Sequence, residues 1–186
     1  MFKTFSFLSL LASAAFSPLA QAGTYKGNSA GTVTFHNTAS LHGIEGKAKS
    51  FSTSLDTDAL KGSLVVQTKS MTTALGPRDT KMHEFCLESD KFSTITFSVN
   101  SIEGGVEGLK TGAGTGSVVL KGSLKIRDTS KNVSIPATYS FTDSGLALSG
   151  KHAFKWTDFN VPDPSIFIST LYPDMSVEFN VNLKSE

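Results

Sequence analysis

The chain has 186 residues, 39% of them hydrophobic and 18% charged, with a formal net charge of +1. Near-neutrality without a basic cluster argues against a nucleic-acid partner, because phosphate neutralisation is the main source of such affinity. A single cysteine, Cys86, excludes an intrachain disulfide.

Lys3, the apolar run Phe5 to Ala15 and the small-x-small triplet Ala20-Gln21-Ala22 read in order as a secretory signal peptide cleaved after Ala22. The apolar run falls short of the ~18 residues a spanning helix needs, and no later segment approaches it. The expectation is an exported, soluble chain of residues 23–186, one domain without an integral membrane segment. Its formal charge is zero, because Lys3 is the only charge removed.

Gly27-Asn28-Ser29-Ala30-Gly31 matches the nucleophile-elbow pattern Gly-x-Ser-x-Gly. That elbow needs a buried strand before it and a helix after, whereas a cleavage site precedes and a Thr-rich strand follows. Ser29 therefore reads as a turn residue. Val33 and Phe35 alternate with Thr32 and Thr34 in a first strand, and Leu41-His42-Gly43 turns it into Ile44-x-Gly-x-Ala48. Parity slips before Phe51, which predicts a bulge or bend near Gly46 to Ser50. Leu60, Leu64 and Val66 share a parity in the third strand.

The stretch from Gly76 to Phe97 interrupts this two-residue period. Pro77 suits a first helical turn, and Met82, Phe85 and Cys86 recur at helical spacing. A short amphipathic helix is expected, ending before the turn pair Ser89-Asp90 and a strand carrying Ile95, Phe97 and Val99. Gly104 to Gly116 is dense in glycine and reads as hairpin turns or a mobile loop. Val118 and Leu120 follow in a strand, then Leu124 and Ile126. Thr129 to Asn132 is expected to turn into Val133, Ile135, Ala137, Tyr139 and Phe141, the longest unbroken alternation in the chain. After Asp143-Ser144-Gly145, one parity runs through Leu146, Leu148, His152, Phe154 and Trp156. Pro162-Asp163-Pro164 breaks the chain, Ser165 to Leu171 allows a short helical turn, and Val177, Phe179, Val181 and Leu183 form a last strand.

Seven to nine strands in meander order with one short helix make an all-β chain with one apolar face turned inward. Joining the first strand to the last abolishes exposed edges. An antiparallel β-barrel of about eight strands with one short helix near its mouth follows, and a two-sheet sandwich would give the same alternation.

The chemistry-bearing residues are sparse. His36, His42, His83 and His152 lack metal-ligand spacing, although His36 and His42 could meet across the first hairpin. Cys86 reads as a small apolar residue on the helix's buried face. The other readings are a dimer-linking thiol, which would give a homodimer, or a nucleophile with His83 three residues away. Glu84, Glu88 and Asp90 form a solvated polar face. Asp79 at the helix entrance favours free N–H groups. Arg78 either pairs with an acid or marks a cavity mouth and meets a polar head. No catalytic constellation, cofactor or metal site emerges.

Three stretches carry a family resemblance. Arg78-Asp79-x-x-Met82 with Leu87-Glu88-Ser89-Asp90-Lys91-Phe92 and Thr94-Ile95-Thr96-Phe97 is the first. Gly122 to Val133 is the second, and Thr157-Asp158-Phe159 with Val177 to Val181 is the third. In this order they resemble the YceI-like family of secreted lipid-binding barrels. Lys81, Ser93, Asp128 and Asn132 depart from the family's usual His, Pro, Gly and Pro. The resemblance implies an extended lipocalin-like barrel, a periplasmic address, and a polyisoprenoid, isoprenoid quinone or other long-chain lipid as partner. Parity then selects Phe35, Leu64, Val66, Ile95, Phe97, Ile135, Tyr139, Leu148, Phe154 and Phe179 as wall residues, with Met82 and Phe85 gating the mouth beside Arg78. A filled-barrel envelope interaction or stress protein is the alternative reading, and a small hydrolase using Cys86 or Ser29 the more distant one.

Overall fold

The computed structural model describes residues 23–165 and 169–186. The signal-peptide assignment, and residues 166–168 of the expected helical turn, lie outside them. Eleven strand segments form one antiparallel sheet. β1 (Thr24–Asn28) and β2 (Gly31–Ala39) are successive parts of one path bent at Ser29-Ala30. β3 (Gly43–Ala48) and β4 (Phe51–Asp56) bend at Lys49-Ser50, where the parity slip predicted it. β5 (Lys61–Gln67) and β6 (Met71–Thr72) are separated by a 3-10 turn at Thr68–Ser70. The remaining strands run unbroken: β7 (Thr94–Gly104), β8 (Thr115–Ile126), β9 (Thr129–Thr142), β10 (Gly145–Lys155) and β11 (Leu171–Ser185).

The ring β1-β4-β5-β7-β8-β9-β10-β11 closes when Tyr25 and Lys26 pair with Ser185 and Lys184, giving an eight-stranded barrel. β2, β3 and β6 extend one end of this ring from β11. The barrel, and not the sandwich, is the outcome.

Two breaks in the ladder widen that end. β6 pairs only with β3, so between β6 and β7 the wall is continued by the connecting segment 73–93. β9 and β10 part after Ala137↔Gly150. The next residue, Pro136, has no N–H to offer a ladder, which suits the place where a strand loses a neighbour. The opposite end has no such breaks, and its interior is filled. Tyr25, Leu55, Ile102, Leu120, Leu146 and Leu183 are buried there, and Phe141 meets Tyr25 and Tyr139 edge-on at 5.6 and 6.1 Å between ring centroids. The barrel is thus solid at its base and open at its other end.

Helix α1 (Gly76–Lys81) begins with proline in its first turn, as the sequence signalled. It does not continue as α-helix: Met82–Cys86 is a π-helical turn in which Leu87 N–H donates to Met82 O at 2.9 Å. The glycine-rich stretch also differs from expectation. It contains a second short helix, α2 (Glu107–Thr111), whose Leu109 is fully buried in the base. One apolar residue among glycines gives no helical period to read. The β8–β9 turn falls at Arg127-Asp128, two residues before the expected place, with Arg127 at φ +54°. Trp156–Phe159 forms a 3-10 turn under the β9–β10 parting.

Candidate ligand cavity

The open end of the barrel encloses a cavity of about 680 Å³. Its wall is apolar: Phe35, Leu64, Val66, Ile95, Phe97, Ile135, Phe154 and Phe179, chosen from alternation, all line it, with Met82 and Arg78 at the mouth. Two rings lie over glycines on neighbouring strands. Phe35 is paired with Gly46, where a Cβ would stand 2.1 Å from the ring, and Phe179 with Gly150, where it would stand 2.6 Å away. Any side chain at these positions would force the rings off the wall, so glycine sets the width of the hollow.

Two expected wall residues, Tyr139 and Leu148, and one expected gate residue, Phe85, lie elsewhere. Tyr139 and Leu148 have the correct parity but sit in the filled base. The Tyr139 hydroxyl donates to Gly105 O at 2.7 Å, which fixes the ring beneath the α2 segment. Parity reports which side of a sheet a residue faces; it carries no depth. Phe85 is 46% exposed and off the cavity wall, with Lys81 Nζ 5.8 Å from its ring centroid. The cause is the π turn, which adds a residue per turn and brings Met82, Cys86 and Leu87 inward while rotating Phe85 out.

Further wall residues include Leu124, Ile126, Trp156, Val177 and Met175. Leu124 and Ile126 share the parity of Val118 and Leu120 on β8, Trp156 that of Phe154, and Val177 that of Phe179, so the signal existed. Met175 also has the parity of Val177 and Phe179, since the register irregularity in β11 lies before it, between Leu171 and Met175. The rim is apolar and wet: Leu41 is 70% exposed and Leu75 52%, and both border the cavity.

The polar groups cluster at this mouth. Asp79 was expected to serve the helix entrance, but its carboxylate turns back to the preceding segment. It accepts from the Thr73 N–H at 2.7 Å and from the Thr72 and Thr73 hydroxyls. Burial pushes its pKa up, but these bonds and the nearby His83 outweigh that and hold it below the usual carboxylate range. Arg78 has no ion pair among the described residues. Its Nε donates to Thr73 Oγ1 at 2.8 Å and its Nη2 to Thr73 O at 2.9 Å. Asn37 donates to Tyr172 O and Asp174 O, and its buried Oδ1 has no partner among the described residues.

Glu88 was read as part of a solvated face, and it is more than that. Arg127 Nη2 donates to Glu88 Oε1 at 2.6 Å, and its Nη1 donates to Asn160 O at 2.9 Å. Arg127 so fastens together the segment after α1, the β8–β9 turn and the Trp156 turn. These are the three stretches that carried the family resemblance.

The nucleophile readings fail on geometry. Ser29 sits at the β1–β2 bend, where its Oγ accepts from the Phe51 N–H at 3.1 Å. Cys86 lines the cavity with its thiol pushed up to about 11 by burial, an effect that Lys81 and Arg127 only partly oppose. His83 faces the Ser89 hydroxyl at 3.4 Å instead. Buried in the wall, Cys86 is also shielded from a second copy's thiol. His36 pairs with Glu45, Nδ1 to Oε2 3.8 Å, and not with His42. No cluster among the described residues could hold a metal ion. No described helix is long and apolar enough to cross a membrane.

The family model described as YceI-like domain matches residues 26–184. A structure of BcnA from Burkholderia cenocepacia is similar with a TM-score of 0.70 and 15% identity, covering 83% of this chain and 96% of that one. A polyisoprenoid binding domain from Saccharophagus degradans, implicated in plant cell wall breakdown, gives a TM-score of 0.74 at 14% identity. That comparison covers 89% of this chain and 100% of that one. A YceI protein from Campylobacter jejuni gives 0.55 at 14% identity and covers both chains completely. No curated protein sequence matches.

Proposed function

The chain belongs to the YceI-like domain family, and from that premise we propose that it is an exported, periplasmic binding protein. It encloses the hydrophobic tail of an amphiphile in the open end of its barrel. The tail is a polyisoprenoid, the side chain of an isoprenoid quinone or a fatty chain, and the protein carries or stores it without chemical change. The observation that carries this reading is the cavity itself: about 680 Å³, walled by aliphatic and aromatic side chains, with its polar groups confined to the mouth. That volume falls in the range of pockets that bury small amphiphiles, about 300–1,000 Å³.

Burial of each methylene is worth roughly 0.8 kcal/mol, set against the cost of association and of ordering the tail. Affinity should therefore rise with tail length and stop rising once the hollow is full. The filled-barrel alternative does not fit, because side chains meet across the middle only at the base. The test is native mass spectrometry of detergent-free exported protein, followed by titration with prenols and isoprenoid quinones of increasing length. A bound lipid, or uptake with a length plateau, supports the proposal. A ligand-free preparation that takes up none of them removes it.

A further inference from the structure

We infer that the barrel has a side exit: the far end of a tail too long for the hollow passes between β9 and β10, beside Phe179, into a groove on the outer face. This rests on the lipid-binding reading above and adds a second site for the same ligand class, long isoprenoid tails. The groove measures about 520 Å³. It crosses β7 to β11 at one level, along the pairs Glu103↔Val119, Val119↔Pro136, Ala137↔Gly150 and Gly150↔Phe179. Val119, Pro136 and Gly150 give it an apolar middle. Its charged residues are already neutralised, Glu103 by Lys121 at 2.7 Å and Glu178 by Lys151 at 3.6 Å. Such a lining suits a hydrocarbon better than an ion.

Among the described residues, Phe179 alone borders both this groove and the hollow. It stands at the hollow's floor, because Val181, the next inward residue on β11, is buried in the filled base. Its ring lies over Gly150, which has no side chain to thicken the wall. A Cβ there would stand 2.6 Å from the ring and 3.1 Å from Pro136 O.

The ladder ends at this same point. Ala137↔Gly150 is the last β9–β10 pair, and Pro136 has no N–H to offer the next one. A chain passing between Pro136 and Lys151 therefore breaks no bond of the β9–β10 ladder. Beyond it the seam is filled by side chains: His152 stacks on Phe154 at 5.9 Å, and Phe154 meets Phe159 edge-on at 5.4 Å. The way down is closed, since Leu120, Leu146 and Leu183 occupy the base. A methylene is about the size of a water molecule, whose share of liquid volume is roughly 30 Å³. The hollow thus takes about 20 carbons and the groove about 17 more.

The experiment uses the mature protein and two prenols: geranylgeraniol, which the hollow can house, and solanesol, whose tail is more than twice as long. Affinities are read from the fluorescence of Trp156, the single tryptophan, which lines the hollow. A second readout is acrylodan attached to Thr138→Cys; Thr138 is exposed in the groove, whereas the native Cys86 is buried away from the dye. The expected result is solanesol binding at least about tenfold more tightly than geranylgeraniol, which covering about two further methylenes supplies. Solanesol should also shift the dye's emission to the blue, and geranylgeraniol should not. Val119→Lys, which sets a charge in the groove, should bring the two affinities together. Geranylgeraniol binding with no gain for solanesol, a dye that solanesol leaves unmoved, or a preference that survives Val119→Lys overturns the side exit and leaves the lipid-binding reading intact. If Val119→Lys fails to fold, the dye still decides. Binding of neither prenol overturns both.

Discussion

Replacing Arg127 with Met tests the fastening of the open end most directly. The Arg127 side chain is 13% exposed and its partner Glu88 37%. Two bonds are lost, to Glu88 Oε1 and to Asn160 O. Hydrogen bonds to charged groups contribute about 1.5–3 kcal/mol each, but three considerations lower the sum. Glu88 is exposed enough to recover water. The Arg127 Nε is buried without a partner among the described residues, so removing it relieves a desolvated donor. Met also keeps an apolar stem against Phe92, over which the guanidinium now lies at 5.6 Å. A loss of about 2 kcal/mol is expected. In urea unfolding followed by Trp156 fluorescence, an m-value of about 2 kcal/mol per M turns that into a midpoint lower by about 1 M. Glu88→Gln should cost less, and the double variant should cost less than the sum of the two. A midpoint shift below about 0.2 M, or strictly additive losses, would refute the fastening.

Ile135→Trp places a large ring in the hollow; prenol binding should weaken at least about tenfold while the filled base keeps the unfolding midpoint within about 0.5 M urea, checked by fluorescent-lipid displacement and urea titration. Because Cys86 is held near 11 against an ordinary thiol value of about 8.5, its reaction with Ellman's reagent at pH 8 should be at least about 100-fold slower than in urea. Asp79 is held below its ordinary pKa when folded, so the stability it confers is complete above that ordinary value, about 3.9, and is lost as pH falls through the lower folded value. Asp79→Asn should remove that part of the acid dependence and leave the neutral-pH slope unchanged, as read from unfolding midpoints between pH 7 and pH 2.

Alternation of Val33 with Phe35, of Ile95 with Phe97 and from Val133 to Phe141 made the strands and their inner face readable, because side chains on a strand have only two directions to take. The bend before Phe51 was readable for the same reason. Depth along the barrel was not, since Tyr139 and Leu148 repeat the pattern of Ile135 and Phe154 while lying at the other end. Phe85 was misplaced because a π turn and an α turn begin with the same residues and diverge only when the backbone pairs five residues on. Lys81 was noted only as a departure from the family's usual residue, because a lysine on a short helix looks like solvent-facing charge until the cavity it lines is known. Arg127 joins residues 39 and 33 positions away, and no local pattern announces such a partnership.

The division between a packed base and an empty upper half separates two jobs that most small domains give to the same side chains. Residues around Leu109, Leu146 and Leu183 keep the chain folded, and those around Ile135, Phe154 and Met175 give the container its shape. A substitution on the cavity wall leaves the packing around Leu109, Leu146 and Leu183 in place. Inheritance can therefore remodel the container across generations at little risk to folding, so distant relatives can keep one frame and hold different cargo.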